Sequence, residues 1–514
     1  MSIVLTVGIP GPQGPPGPTG PGGGGGGGGG ATGPTGPPGP GVPVITPEMF
    51  GAVGDGTTDD GPAINSAMAS MTSGQTLQFF PNITYAIGAA GVVLSNKTNA
   101  VINLNGCTIK AIANGSQQTQ EASFISFVKL SHCTSCSVSN GSFNPNGFTG
   151  AFIGLDTCTD SVITGNTSTN VSAIAHFFAL SGIRNTWSLN YANGTAALNV
   201  HGFYMGGANA GEFETNVQVN GNKAHNLTAT CFVLQSIGGT VTGNVADTTT
   251  NMGAGFIVPS STFSSGSDIT ITGNTAINCS FHGFQHDPHG GVPTRISVIG
   301  NRFENNVGYG VFLVTGTNTT VMGNTLIGNG NGSFAINGGC SQIVISGNIC
   351  DIGFVESSIA VVPTGSAVTD VTIDSNTFLT SATTGNVLFM TTVGATDLMQ
   401  RVNVTNNKIK GGAVGIFMNP QTNGGTMEYI NVIGNSCETP SNVGIAIQAG
   451  GTTNVGSFNI TNNFSFGLAI HGGASNSLPN IKIIANSLGT YNASSINTNN
   501  SGATGWIDQF NSFD

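Results

Sequence analysis

The densest group of side chains suited to chemistry lies in Phe281-His282-Gly283-Phe284-Gln285-His286-Asp287-Pro288-His289-Gly290. Imidazoles and a carboxylate at this spacing could hold a metal ion or exchange protons. The reading the pattern favours over both is the stabilisation of a turn or an interface. Acidic pairs are the other candidates: Glu212 with Glu214, Asp156 with Asp160, and Asp287 with Glu304 one repeat further on. Hydrolysis of a glycosidic bond needs two carboxyl groups about 5–10 Å apart, one with a raised pKa. None of these pairs sits in a distinctive motif, so Glu212, Glu214, Asp287 and Glu304 are candidates by residue type and proximity alone. Cys133 and Cys136 form a lone CxxC, a weak sign of metal or redox chemistry. The pattern assigns no metal site and implies no cofactor.

The elements that must position these groups repeat. A short alternating strand ends in Gly-Asn at Val162–Asn166, Ile271–Asn274, Val298–Asn301, Val321–Asn324 and Ile345–Asn348. Looser copies end at Asn190, Asn222, Asn244, Asn376, Asn407, Asn435, Asn463 and Asn486. The mean step of roughly 27 residues is the period of a solenoid. Alternation sends Ile269/Ile271, Ile296/Val298, Ile343/Ile345, Ile430/Val432 and Ile481/Ile483 inward. The Asn at each bend can adopt a left-handed conformation and bond to the Asn of the next coil. After the bend, Phe303, Leu326, Phe378 and Ile409 should face in, while Arg302, Glu304, Asp351, Lys408, Lys410 and Glu438 face solvent.

About nine residues beyond most bends comes Gly followed by apolar-x-apolar, as in Gly310-Val311-Phe312-Leu313. The middle residues should point outward in one column: Phe178, Tyr204, Val233, Ile257, Gln285, Phe312, Ala335, Ala360, Leu388, Phe417, Ala446 and Ala469. So long an apolar stripe is uncommon on a monomer. Either three copies of the chain pack along it, or Tyr204, Phe312 and Phe417, with His282 and His286 nearby, line a sugar-binding groove.

Composition narrows the classes. Charged residues make up 6% of the 514, against about 25% in ordinary soluble domains. The formal charge is -11 with only 11 Lys+Arg, which argues against a nucleic-acid partner. No apolar run approaches the ~18 residues of a spanning helix, so membrane insertion is not expected. The nine cysteines are scattered, several at inward positions, as in a protein made in a reducing cytoplasm.

Residues 1–8 read as a short anchoring segment. From Gly8 to Gly29 glycine occupies every third position, the last three of these within the nine-glycine run Gly22–Gly30, and the triplets resume at Gly33, Gly36 and Gly39. Gly-X-Y with proline marks a collagen-like stalk over 9–43, or else a flexible linker. A triple helix there requires three chains. Next, Phe50-Gly51-Ala52-Val53-Gly54-Asp55-Gly56-Thr57-Thr58-Asp59-Asp60 precedes a short helix with the stripe Ile64, Ala67, Met68 and Met71. This segment resembles the opening of the pectate-lyase-like right-handed β-helix proteins, which include bacteriophage tailspikes and plant-type polygalacturonases. The resemblance implies an entrance cap at 44–100 in which Asp55, Asp59 and Asp60 are structural, and a helix body over 101–486. The catalytic pattern of the polygalacturonases is present only in fragments (His201-Gly202, His282-Gly283, Arg295-Ile296), so pectin hydrolysis is not implied.

The expected object is all-β: a right-handed, single-stranded parallel β-helix of about fourteen coils, with a short capping helix and a terminal cap or clasp at 487–514. Joined to its stalk, it looks like a homotrimeric phage appendage on the virion surface. It would be held to the virion through residues 1–8 and attach to host surface polysaccharide. The alternatives are a polysaccharide-degrading tailspike and a non-enzymatic decorating spike.

Overall fold

The computed structural model describes residues 44–488, apart from 117–124, 196–198, 208–212, 262–265, 290, 352–356, 421–424, 439, 450–453, 466, 473–480 and 485. Beyond 488 it describes the backbone strands Ile496–Thr498, Ile507–Gln509 and Ser512–Phe513. The anchoring segment and the Gly-X-Y stalk therefore lie outside the described residues.

The chain winds into a parallel β-solenoid of about 14 turns. One coil illustrates the rest: Thr294–Ile299, a bend at Gly300-Asn301, the short strand Arg302–Glu304, then Tyr309–Leu313. Each strand pairs in parallel with its equivalents in adjacent coils, as in Ile296↔Thr319, Phe303↔Leu326 and Phe312↔Ala335. Three sheets result. The first precedes the Asn bend, the second follows it, and the third carries the apolar-x-apolar triplets.

Alternation fills the interior as expected. Ile269, Ile271, Ile296, Val298, Ile343, Ile345, Phe303, Leu326 and Phe378 are fully buried. Phe177, Phe203, Phe232 and Phe256 stack along the axis with ring centroids 4.9–5.0 Å apart, which is the strand spacing carried into the side chains. Glycine precedes the third strand because the corner is crowded: a Cβ on Gly255 would lie 2.4 Å from that of Ala276, and one on Gly310 2.5 Å from Leu326 Cδ2.

The Asn residues form the expected ladder. Asn301 donates N–H and Nδ2 to Asn324 Oδ1 at 2.8 and 3.0 Å, and Asn324 does the same to Asn348 at 2.8 and 2.9 Å. The series runs unbroken from Asn166 to Asn486. From Asn166 to Asn463 the left-handed residue, however, is the one before each bend Asn. Gly165, Gly221, Gly243, Gly273, Gly300, Gly323, Gly347 and Gly434 take φ of 61–68°. Leu189, Ser375, Asn406 and Asn462 take about the same conformation where glycine is missing. The Asn itself must keep its amide turned inward to reach the next coil, so the turn is made by its neighbour.

At the entrance, Gly61–Ser70 forms the expected helix and buries Ile64, Ala67 and Met68. Asp60, 1% exposed, accepts N–H bonds from Val53, Gly54 and Ala86. Asp59 accepts from Gly61 and Gly88, and Asp55 from Thr57 and Thr58. These acids shape the cap. At the far end the described strands past 488 extend all three sheets (Leu468↔Ile496, Ile483↔Asp508, Ser487↔Ser512), so a coil continues into the segment that sequence alone reads as a separate cap.

Candidate functional site

The outward column of the third sheet is the candidate surface, and its register differs from expectation at one coil. Ala360 pairs with Phe389, and Phe389 with Phe417. Leu388 instead points inward, fully buried, opposite Ile359 and Ile416. Phe389 therefore takes Leu388's place in the column, where its ring stacks on Phe417 at 5.8 Å and 18°.

The column holds three separate aromatic groups. Tyr204 is half-buried and meets His201 edge-on at 5.5 Å. Four coils on, Phe312 stacks against His282 at 4.5 Å and Tyr309 at 5.7 Å. Three and four coils further come Phe389 and Phe417, the stacked pair. At ~4.8 Å per coil, successive groups are roughly 15–20 Å apart. The structure thus brings Phe312 and His282 together but keeps Tyr204 and Phe417 from joining them in one groove. Between the groups Val233, Ala335 and Ala360 are buried. Phe178, at the lower end, is buried under a small satellite cluster with Ala151, Ala175 and Leu180.

The histidines turn inward. His282 is 2% exposed; its Nδ1 accepts the Tyr309 N–H at 2.9 Å, leaving Nε2 without a hydrogen-bond partner. Burial pushes its pKa down to about 4. His286, paired with Val258, lies wholly inside the coil with neither ring nitrogen bonded, and burial lowers its pKa to about 3. Such a ring is neutral and sealed from any surface ligand, which corrects its assignment as a ligand-binding residue. His176 is a third interior imidazole, bonded to Ser168 Oγ at 2.9 Å and Gly194 O at 2.8 Å.

Among the described residues, the candidate acids do not assemble into a pair. Glu214 is fully buried at the start of a first-sheet strand, where Asn185 Nδ2 donates to its two oxygens at 3.1 and 3.3 Å. Burial pushes its carboxyl up to about 8. That value would suit a general acid, but the group faces the core, and no surface glycan can reach it. Glu212 lies outside the described residues. Asp287 belongs to a third-sheet strand, with its side chain outside the description, whereas Glu304 is on the second sheet and paired with Arg302 at 2.8 Å. Asp156 pairs with Lys129 at 2.8 Å and Asp160 with Arg184 at 2.7 Å. Cys133, Cys136 and Cys158 are buried free thiols donating to backbone carbonyls. Among the described residues, no group of three His, Cys, Asp or Glu is placed to hold a metal ion.

A further surface was not anticipated. One residue ahead of each inward pair in the first sheet, the chain takes a second left-handed kink. It is occupied in successive coils by Asp268, Arg295, Asn318, Gln342, Asp370, Arg401 and Tyr429, all with φ of 53–58°. Their stacking places Arg295 on Asp268 and Arg401 on Asp370 in two-pronged ion pairs. In sequence these positions share only their place, immediately before the inward-x-inward triplet; the residue type varies from Asp and Arg to Asn, Gln and Tyr.

Residues 261–350 match the family described as right handed beta helix region, and the solenoid is right-handed. No curated protein matches the chain. Among solved structures, the mannuronan C-5 epimerase AlgE4 A-module of Azotobacter vinelandii is 15% identical with a TM-score of 0.49, covering 66% of this chain and 97% of its own. The AlgE6 A-module of the same organism is 15% identical (TM-score 0.48), with coverages of 84% and 100%. The Dettilon tailspike protein is 16% identical (TM-score 0.45), with coverages of 69% and 66%. Likenesses this distant carry no argument about activity.

Proposed function

We propose that this chain is the subunit of a homotrimeric bacteriophage appendage, held on the virion surface through residues 1–8, that attaches to host-cell surface polysaccharide without cleaving it. The observation that carries this reading is the outward column of the third sheet. Tyr204, Ile257, Phe312, Phe389 and Phe417 remain partly open along one line of the solenoid, a stripe that two sister chains would cover. The Gly-X-Y triplets ahead of the body supply an independent reason for three chains. Nine unpaired cysteines suit assembly in the host cytoplasm.

Attachment is favoured over cleavage because the described carboxylates are occupied. Apart from Asp351, each accepts hydrogen bonds or pairs with a cation inside the chain, as Asp374 does with Thr405 and Asn406, Asp397 with Gly365 and Val393, and Glu438 with Lys408. Sedimentation equilibrium of the full chain should give about three times 51.7 kDa, and incubation with host envelope polysaccharide should give binding without shortened chains. A monomer would overturn the assembly reading; shortened chains would replace attachment with degradation.

A further inference from the structure

The kinked column of the first sheet ends at a residue that the chain itself does not explain. Tyr429 has φ of 57° and is 52% exposed. A bulky side chain in the left-handed region is strained. The arginines lower in the column offset that cost through two-pronged bonds to the aspartate beneath them. The Tyr429 side chain makes no hydrogen bond among the described residues. The coil above contributes only Gly456 and Ser457 over Glu428 and Tyr429, so little overhangs the ring.

Around it lies a linked polar network. Arg401, one coil below, donates Nε and Nη2 to Asp370 and Nη1 to Gln400 Oε1 at 2.7 Å. Gln400 Nε2 donates to Glu428 Oε1 at 2.8 Å. Two residues along, Asn431 Nδ2 donates to Asn403 Oδ1 at 2.8 Å. These bonds fix the outward amides and carboxylate in place, which lowers the entropy lost on binding.

We propose that Tyr429, Arg401, Gln400, Glu428, Asn403 and Asn431 form a subsite for a neutral hexose ring of a surface glycan. The ring of Tyr429 offers an apolar face to the C–H side of a pyranose, and the fixed amides and carboxylate exchange hydrogen bonds with its hydroxyls. A neutral sugar is specified because Arg401 is already paired with Asp370, which leaves Glu428 uncompensated within the six-residue cluster. A uronic or sialic acid would meet net negative charge. This subsite rests on the glycan-attachment reading above and gives it a location, on a different sheet from the apolar column.

The test uses the full-length protein on an array of neutral, uronic-acid-containing and sialylated oligosaccharides, with thermal unfolding measured in parallel. Binding to a neutral glycan is expected, falling about tenfold or more in Tyr429→Asn, while Tyr429→Phe retains most of it. Tyr429→Asn should at the same time raise the unfolding midpoint, since Asn tolerates the left-handed conformation. Loss of binding with a gain in stability is not what a merely structural tyrosine would give. Binding unchanged in Tyr429→Asn, or confined to acidic glycans, overturns the subsite while leaving attachment standing. No retention of any glycan overturns both.

Discussion

Removing one rung of the amide ladder should cost far more than removing one surface residue. In Asn324→Ala, the buried Asn301 N–H loses its acceptor at 2.8 Å and the Val298 carbonyl loses the Nδ2 that reaches it at 2.9 Å. Asn301 Nδ2 and Asn348 Oδ1 each lose one partner while keeping others. A buried polar group left unpaired costs about 1–3 kcal/mol, so the two worst cases together give about 3 kcal/mol. Because a solenoid's stability is a sum over neighbouring coils, the loss should appear locally. Native-state hydrogen exchange is the suitable assay. At about 1.4 kcal/mol per tenfold, the Asn301 amide should exchange roughly a hundredfold faster, with amides several coils away nearly unchanged. Thr320→Ala, on the outward side of the neighbouring strand, serves as the control and should change little. Protection of Asn301 within a factor of three of wild type would refute the claim that the ladder, rather than apolar stacking alone, closes the bends.

Four further variants probe the interior and the outward column. Glu214 is raised from 4.5 to about 8 by burial, so folding is penalised as pH climbs from about 4.5 and the penalty is complete above about 8. Glu214→Gln should therefore gain stability over wild type across that window in urea titrations at a series of pH values, by a few kcal/mol at most. His286, with both nitrogens unpaired, should give way to leucine with a gain of about 1–3 kcal/mol at pH 7. Its pKa lies below the unfolded value of 6.5, so wild type loses stability as pH falls below about 6.5, and His286→Leu should shift the acid midpoint of circular dichroism downward. Leu388→Ala should cost about 2–5 kcal/mol without altering assembly, whereas Phe389→Ala should leave the coil stable and weaken trimerisation in sedimentation runs.

The fold was readable because its rule is short: inward apolar residues, a Gly-Asn bend, and a glycine where the corner admits no Cβ. It failed at Asn386–Met390 for a local reason. There Val387 occupies the glycine corner and makes a four-residue apolar run, so alternation alone cannot choose between Leu388 and Phe389. The left-handed residue was misplaced because Asn tolerates that conformation generally; only the demand that its amide face the next coil assigns the turn to its predecessor. Glu214 is a candidate in sequence by residue type and its nearness to Glu212 alone, yet its register with Ser236 puts it at a small-polar inward position, which only aligned coils reveal. Tyr429 carries no signal in sequence because strain is a property of backbone geometry, and nothing in a Glu-Tyr-Ile sequence announces it.

The amide ladder also sets how such a molecule can vary in length. Every rung donates in the same direction and offers the same acceptor, so any bend asparagine can dock on any other. Excising residues 325–348 would present Asn376 to Asn324 in place of Asn348. Reach can therefore grow or shrink in whole-coil increments of about 4.8 Å, with both ends of the body unchanged.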